Sequence, residues 1–203
     1  CPEFAPWIVP RVRPLIAAAL LVIGSALVSA DPGAASNCVG ADAEAEALSQ
    51  TQLESTMTCL INKERSKAGL RSVRSSGSLR QAALGHSQDM VQEGYFEHTS
   101  PSGETFIDRI TNTGYMRGAR RWLVGENLVW GSGSQSIPRA IVDSWMGSPS
   151  HRANLLRARF REVGVAAVRG TPFNASDDTG VTISSEYGFR AGKRGARALR
   201  RNR

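Results

Sequence analysis

The sequence predicts an α+β layered domain with an antiparallel sheet, formed as one unit by residues 48–190. Three observations carry this. Helical hydrophobic patterns come first, alternating strand patterns come last, and no regular βαβ alternation links them.

Leu53, Met57, Leu60 and Ile61 recur at i, i+4, i+7 and i+8, the stripe of an amphipathic helix that Gly69 stops. A second helix aligns Leu79, Ala82, Ala83, His86 and Met90, and Gly94 ends it. His86 on that apolar face reads first as a packed histidine bonded to a nearby carbonyl. Tyr95 to Gly103 breaks the periodicity and is a loop, followed by a short helix from Glu104 to Asn112. Trp122 to Trp130 has strand composition, with Glu126 an anomaly at its centre. After a Gly/Ser turn, Ser136 caps a helix with Pro138 in its first turn and Ile141, Val142, Trp145 and Met146 on its buried side. Ser148-Pro149 opens a further short helix that carries His151. Glu162–Val168 and Gly180–Phe189 alternate as strands, and Thr171–Asp178 is the polar loop of their hairpin.

Charge is unevenly spread along the chain. The net charge is +7, and Arg190, Lys193, Arg194, Arg197, Arg200, Arg201 and Arg203 account for all of it, because 25 basic residues less these seven equals the 18 acidic ones. The remainder is near neutral and shows no basic surface interleaved with aromatics, so no specific nucleic-acid partner is expected. Residues 191–203 read as a solvated basic tail that can contact anionic surfaces in a salt-sensitive way.

Residues 1–30 read as a signal peptide with an uncertain true start. Arg11 and Arg13 precede an apolar run from Leu15 to Val28, and small residues follow at Ser29-Ala30. The run is shorter than the roughly 20 residues that span a bilayer. A secreted, extracellular protein is expected, with cell-wall association as one option, and residues 31–47 read as a linker. Export favours pairing Cys38 with Cys59, the two cysteines left after cleavage. Lipid attachment at Cys38 is the alternative, opposed by the polar Asn37 before it.

The chemistry centres on three positions. An ionised Glu126 among Leu123, Val124, Leu128 and Val129 needs a partner, because an unpaired buried carboxylate costs several kcal/mol. A histidine or a metal would supply it, with Asn127 as a further polar contact. His98, Glu126 and His151 have the composition of an open three-ligand zinc site, though compact metal spacing is missing. A buried Glu126–His98 pair without metal is the competing reading. Ser148 and His151, three apart, also allow a nucleophile–base pair oriented by Glu126, although no strained elbow surrounds Ser148.

These segments, in their order, are similar to the CAP superfamily of cysteine-rich secretory, antigen 5 and pathogenesis-related class-1 proteins, most closely its bacterial branch. The pieces are Leu60-Ile61-Asn62 through Arg65, Gly69-Leu70, Ala83 to Met90, Phe96-Glu97-His98-Thr99-Ser100-Pro101-Ser102-Gly103 and Arg109 before Gly114-Tyr115. Gly125-Glu126-Asn127, Trp145-Met146, Ser148-Pro149-Ser150-His151-Arg152 and Phe160 through Val165 complete them. The resemblance implies a three-layer α–β–α sandwich around a mainly antiparallel sheet, with a groove that in many members holds two histidines and two glutamates and in some a divalent metal. His98 and Glu126 match two of those positions. The glutamate expected after Trp145 is replaced around Ser148, and nothing after His151 is a histidine. The expected groove residues are therefore His98, Glu126, Asn127, Ser148 and His151. The expected role is a binding module for a lipid, peptide or cell-wall ligand, with a metal-dependent hydrolase as the alternative.

Overall fold

The computed structural model describes residues 38–192. The expected signal peptide and nearly all of the basic tail lie outside them. The first apolar stripe forms α1 (Gln50–Lys67), opened by a reciprocal capping box between Ser49 and Gln52. Its Leu53, Met57, Leu60 and Ile61 are buried, as the spacing predicted. The chain then enters a two-residue strand, β1 (Arg74–Ser75), and α2 (Gly77–Glu93). Ser76 caps α2 at one end and Gly94, at φ 71°, closes it at the other.

The short helix, α3 (Phe106–Asn112), starts later than the Glu104 expected, because Thr105 is extended and forms a capping box with Asp108. The remaining elements are β2 (Ala119–Ser132), α4 (Pro138–Gly147), α5 (Pro149–Leu155), β3 (Glu162–Arg169) and β4 (Gly180–Gly192). Pro138 and Pro149 each occupy a first helical turn, where their missing N–H costs nothing. Neither helix has a side-chain cap, although the sequence suggested Ser136 as the cap of the first. Ile137 is the N-cap of α4, and Ser136 instead donates its hydroxyl to Gly133 O and accepts from Ala45 N. Ser148 precedes α5 without a side-chain capping bond.

The strands form one sheet in the order β1-β3-β4-β2. β3 and β2 both pair antiparallel with β4, whereas β1 pairs parallel with β3, so the sheet is mixed. Strand alternation sends Val163, Val165, Val181, Ile183 and Tyr187 to one face. There they meet α1, α4 and α5 around Trp145 and Phe160 in the main core. The other face packs against α2. Gly164 permits this approach, since a Cβ there would overlap the backbone of Leu79 and Arg80. The result is a three-layer α–β–α sandwich.

The stretch expected as a linker is corrected from Cys38 onward. Ala41 and Ala45 are 3% and 0% exposed and belong to the main core. Small side chains, which read as linker composition, allow this segment to lie flat against the domain. A Cys38–Cys59 disulfide fixes it to α1. With the cysteines separated by 21 positions in sequence, such a closure stabilises by about 3 kcal/mol in the loop-entropy account.

Candidate functional site

The α2 face of the sheet is unusually polar at one place. Glu126 on β2 is 4% exposed, and the neighbouring α2 presents His86 to it. Three groups converge on the Glu126 carboxylate. His98 Nδ1 donates to Oε1 at 2.6 Å, Arg109 Nη2 donates to Oε2 at 2.9 Å, and His86 Nε2 stands 3.8 Å from Oε2. The strand anomaly is thus satisfied by an imidazole and a guanidinium.

His98 is placed by its loop and by Arg109. Tyr95 donates its hydroxyl to Asp89 and also contacts Ser100 Oγ, anchoring the loop to α2. Arg109 reaches up from α3 and donates to the carbonyls of His98 at 2.8 Å and Glu104 at 3.1 Å. One guanidinium therefore sets both the loop carrying His98 and the carboxylate that His98 contacts. His86 Nε2 donates to Glu97 O at 3.0 Å, the packed role expected of it.

A second acid completes the cluster. Glu186 on β4 is directly opposite Glu126 in the strand register and is 0% exposed. Neither of its oxygens meets a partner in good hydrogen-bond geometry. Burial, then the adjacent Glu126 charge, pushes the Glu186 carboxyl well above its usual range, in the direction that favours its neutral form. Burial acts on Glu126 in the same sense, but the His98 bond, the approach of the Glu186 carboxyl and the His86 and Arg109 groups outweigh it and lower its pKa. One carboxylate and one carboxylic acid is the stable arrangement of two acids sharing a dry site. The bond to Glu126 raises His98, whereas desolvation pushes His86 down to about 4.

The structure brings His98 and Glu126 together, turns Asn127 to the opposite side of the strand and pairs Ser148 with neither of them. Asn127 is fully buried and, one residue along the strand, faces away from Glu126. It donates to His151 O at 3.1 Å and accepts from Asn154 at 2.9 Å, so its role is to hold α5 against β2. Asn154 and Trp145 also donate to the carbonyls of Glu126 and Leu128 on this edge strand. The Ser148 hydroxyl pairs with Ser150 at 3.3 Å instead of with an imidazole, which removes the nucleophile–base arrangement. His151 is half-buried; burial and the charge of His98 lower its pKa.

The donor set does not fit a three-ligand zinc site. Both Glu126 oxygens are engaged, His98 spends Nδ1 on one of them, and the Arg109 cation stands where a metal would need the other. Among the described residues no group of three or more His, Cys, Asp or Glu could hold a metal ion. Beside Arg109 opens a cavity of about 340 Å³, lined by Gln81, His86, Asp89, Glu104, Arg109 and Asn112 among others.

Sequence reasoning missed two of the cluster's members as site residues. Arg109 was visible only as part of a motif. Glu186 alternates with the face of Val181, Ile183, Ser185 and Tyr187 in β4, so periodicity did not single it out. The signal was an acid between Ser185 and Tyr187 in a strand whose other face is also covered.

A sandwich of this topology, with a loop histidine locked onto a buried strand glutamate, defines an α–β–α domain and not a nucleotide-binding or barrel fold. The model of the cysteine-rich secretory protein family, CAP, matches residues 59–184, and the chain belongs to that family. Over 109 residues it is 35% identical to the uncharacterized protein YkwD of Bacillus subtilis strain 168, which covers 54% of this chain and 40% of that one. It is 30% identical over 120 residues to the uncharacterized membrane protein YlbC of the same organism, covering 59% of this chain and 33% of the other. The chain thus spans less than half the length of either relative. A crystal structure of an extracellular Bacillus anthracis protein containing an SCP domain superimposes with a TM-score of 0.55 and 27% identity, covering 68% of this chain and 40% of that one. An outer surface protein of Borrelia burgdorferi shares the fold at a TM-score of 0.58 and 20% identity, covering 71% of this chain and 97% of that one.

Proposed function

We propose that this is a secreted, extracellular binding module whose His98 side recognises a peptide-bearing wall fragment without catalysing its breakdown. The observation that carries this reading is the state of Glu126: both oxygens are consumed by His98 and Arg109. A buried carboxylate so engaged is not presented to a substrate proton, so Glu126 acts as the partner that orients His98 and not as a base in its own right. What it leaves is a fixed imidazole, 54% exposed at the side chain, with Nε2 free: it accepts a hydrogen bond in the neutral ring and donates one in the protonated ring. Hydroxyl or amide N–H groups match the first state and carboxylate oxygens the second.

Polar lining of the cavity next to Arg109 suits a peptide or amino-sugar better than an acyl chain. Extracellular placement is supported by the apolar run ahead of the domain, by the disulfide and by the extracellular Bacillus anthracis neighbour. No described helix is long and apolar enough to cross a membrane.

The test is titration of soluble muropeptides into protein followed through the His98 ring resonances, with mass spectrometry of the ligand afterwards. Saturable shifts, lost in His98→Gln, with intact ligand are expected. Cleaved ligand would replace this reading with a hydrolase, and shifts unchanged in His98→Gln would move the site elsewhere.

A further inference from the structure

Near neutrality of the folded part conceals a separation of charge that only the topology reveals. The sheet places the starts of β1, β2 and β3 and the end of β4 together. Arg74 lies opposite Glu162, Arg121 opposite Ala191 and Trp122 opposite Arg190. The Arg74 N–H also donates to Arg161 O at 2.9 Å. Arginines distant in sequence therefore meet at one end of the sandwich: Arg74, Arg120, Arg121, Arg159, Arg161 and Arg190. Across the contributing stretches 71–75, 118–122, 158–162 and 188–192, Glu162 is the single acid. It is already engaged by the Tyr115 hydroxyl at 2.7 Å and by Arg190 at 3.5 Å.

Acidic residues gather at the other end of the strands. Asp177 and Asp178 lie in the β3–β4 loop. Asp42, Glu44 and Glu46 flank Ala45, whose N–H donates to Ser136 just beyond β2. Arg139, ion-paired with Asp42, and Arg169 also lie there, and with them counted the named charges are still unevenly divided along the strands. At the basic end Trp122 is 46% exposed, and a hollow of about 460 Å³ is lined by Arg120, Arg121, Ala191 and Gly192. From the same end, where β4 finishes, the sequence continues with Lys193, Arg194, Arg197, Arg200, Arg201 and Arg203.

We infer that this end of the sheet is a docking surface for an anionic phospholipid bilayer, with the arginines on headgroup phosphates and Trp122 at the interface. Guanidinium forks match phosphate oxygens in geometry as well as charge. An indole beside them is amphipathic and suits the headgroup zone. Four strand ends about 4.8 Å apart present the charges across roughly 15 Å, a flat array suited to a surface more than to a groove-fitting strand of nucleic acid. Docked this way, the strands stand end-on and the acidic end points away from the membrane.

The experiment measures co-sedimentation of residues 31–203, which contain the whole described fold, with phosphatidylglycerol or phosphatidylcholine vesicles. Binding to phosphatidylglycerol alone, abolished by half-molar salt, is expected. The decisive variant is the triple Arg74→Gln/Arg120→Gln/Arg121→Gln. Among the described residues these guanidiniums make no hydrogen bond or ion pair, so the fold should survive, as circular dichroism and Tm would verify. Each basic residue near such a surface changes partitioning roughly fivefold, so the triple variant should bind about 100-fold more weakly. A chain ending at Gly192 should still bind phosphatidylglycerol and still respond to the triple substitution, and Trp122→Phe should remove most of the fluorescence blue shift on binding. The proposal is overturned if the triple variant partitions like the unsubstituted chain, if all binding resides beyond Gly192, or if soluble polyphosphate or DNA binds while vesicles do not.

Discussion

Glu126 and Glu186 face each other across the β2–β4 register, both buried, and the surroundings provide charge for only one of them. Arg109 and His98 contact Glu126 and not Glu186. Glu186 therefore carries the proton of the pair, and the cluster stays near electrical balance as Glu126 carboxylate with Arg109 guanidinium.

That assignment has a measurable sign. The folded-state pKa of Glu186 is raised, so its contribution to stability is full below its usual value of 4.5 and is lost as pH rises toward the folded value. Glu186→Gln mimics the neutral acid and abolishes this dependence. Urea unfolding should show the variant close to the unsubstituted protein at pH 4 and more stable at pH 7, with the gap growing by up to about 1.4 kcal/mol per pH unit. A gap that stays constant between those pH values would show that Glu186 is ionised in the folded protein.

His86 gives the opposite slope. Desolvation pushes its pKa down to about 4 from the usual 6.5, so the unfolded chain takes up a proton in that window before the folded one does. Stability falls as pH drops from 6.5 to 4, by at most about 3 kcal/mol from this group. The raised pKa of His98 works against it, weakly because that side chain is half exposed. His86→Gln can still donate to the Glu97 carbonyl and cannot ionise. Its unfolding free energy should be flatter across this range, and an unchanged pH profile would mean that His86 is not held neutral.

Much of the fold was legible because helix periodicity and caps are local. Leu53, Met57, Leu60 and Ile61 fixed α1, and Gly69 and Gly94 marked where two helices stop. The anomaly of Glu126 in an apolar strand also pointed to a partner, and His98 provides it. Nonlocal features were invisible for a common reason. Arg109 becomes a site residue only once α3 stands under the His98 loop. Glu186 becomes one only once β4 is covered on both faces. Asn127 was misassigned because adjacent strand residues point to opposite sides, and the motif Gly125-Glu126-Asn127 reads as one polar unit in sequence. The arginine end of the sheet likewise exists only after strand order is known.

Arg109 is the member whose loss should reveal the architecture most directly. Arg109→Leu leaves Glu126 charged in a dry site with only His98 to compensate it, and it releases the carbonyls of His98 and Glu104. Removing one partner of a buried pair costs about 3–5 kcal/mol. Glu126→Gln alone should cost less, because the amide oxygen can still accept from Arg109 and the solvent side of His98 can find water. In the double variant no charge is stranded, so the two changes should be markedly non-additive, with a coupling of at least about 1 kcal/mol from chemical denaturation. Additive losses would instead mean that Arg109 acts only by tying down the loop, independently of the carboxylate it touches.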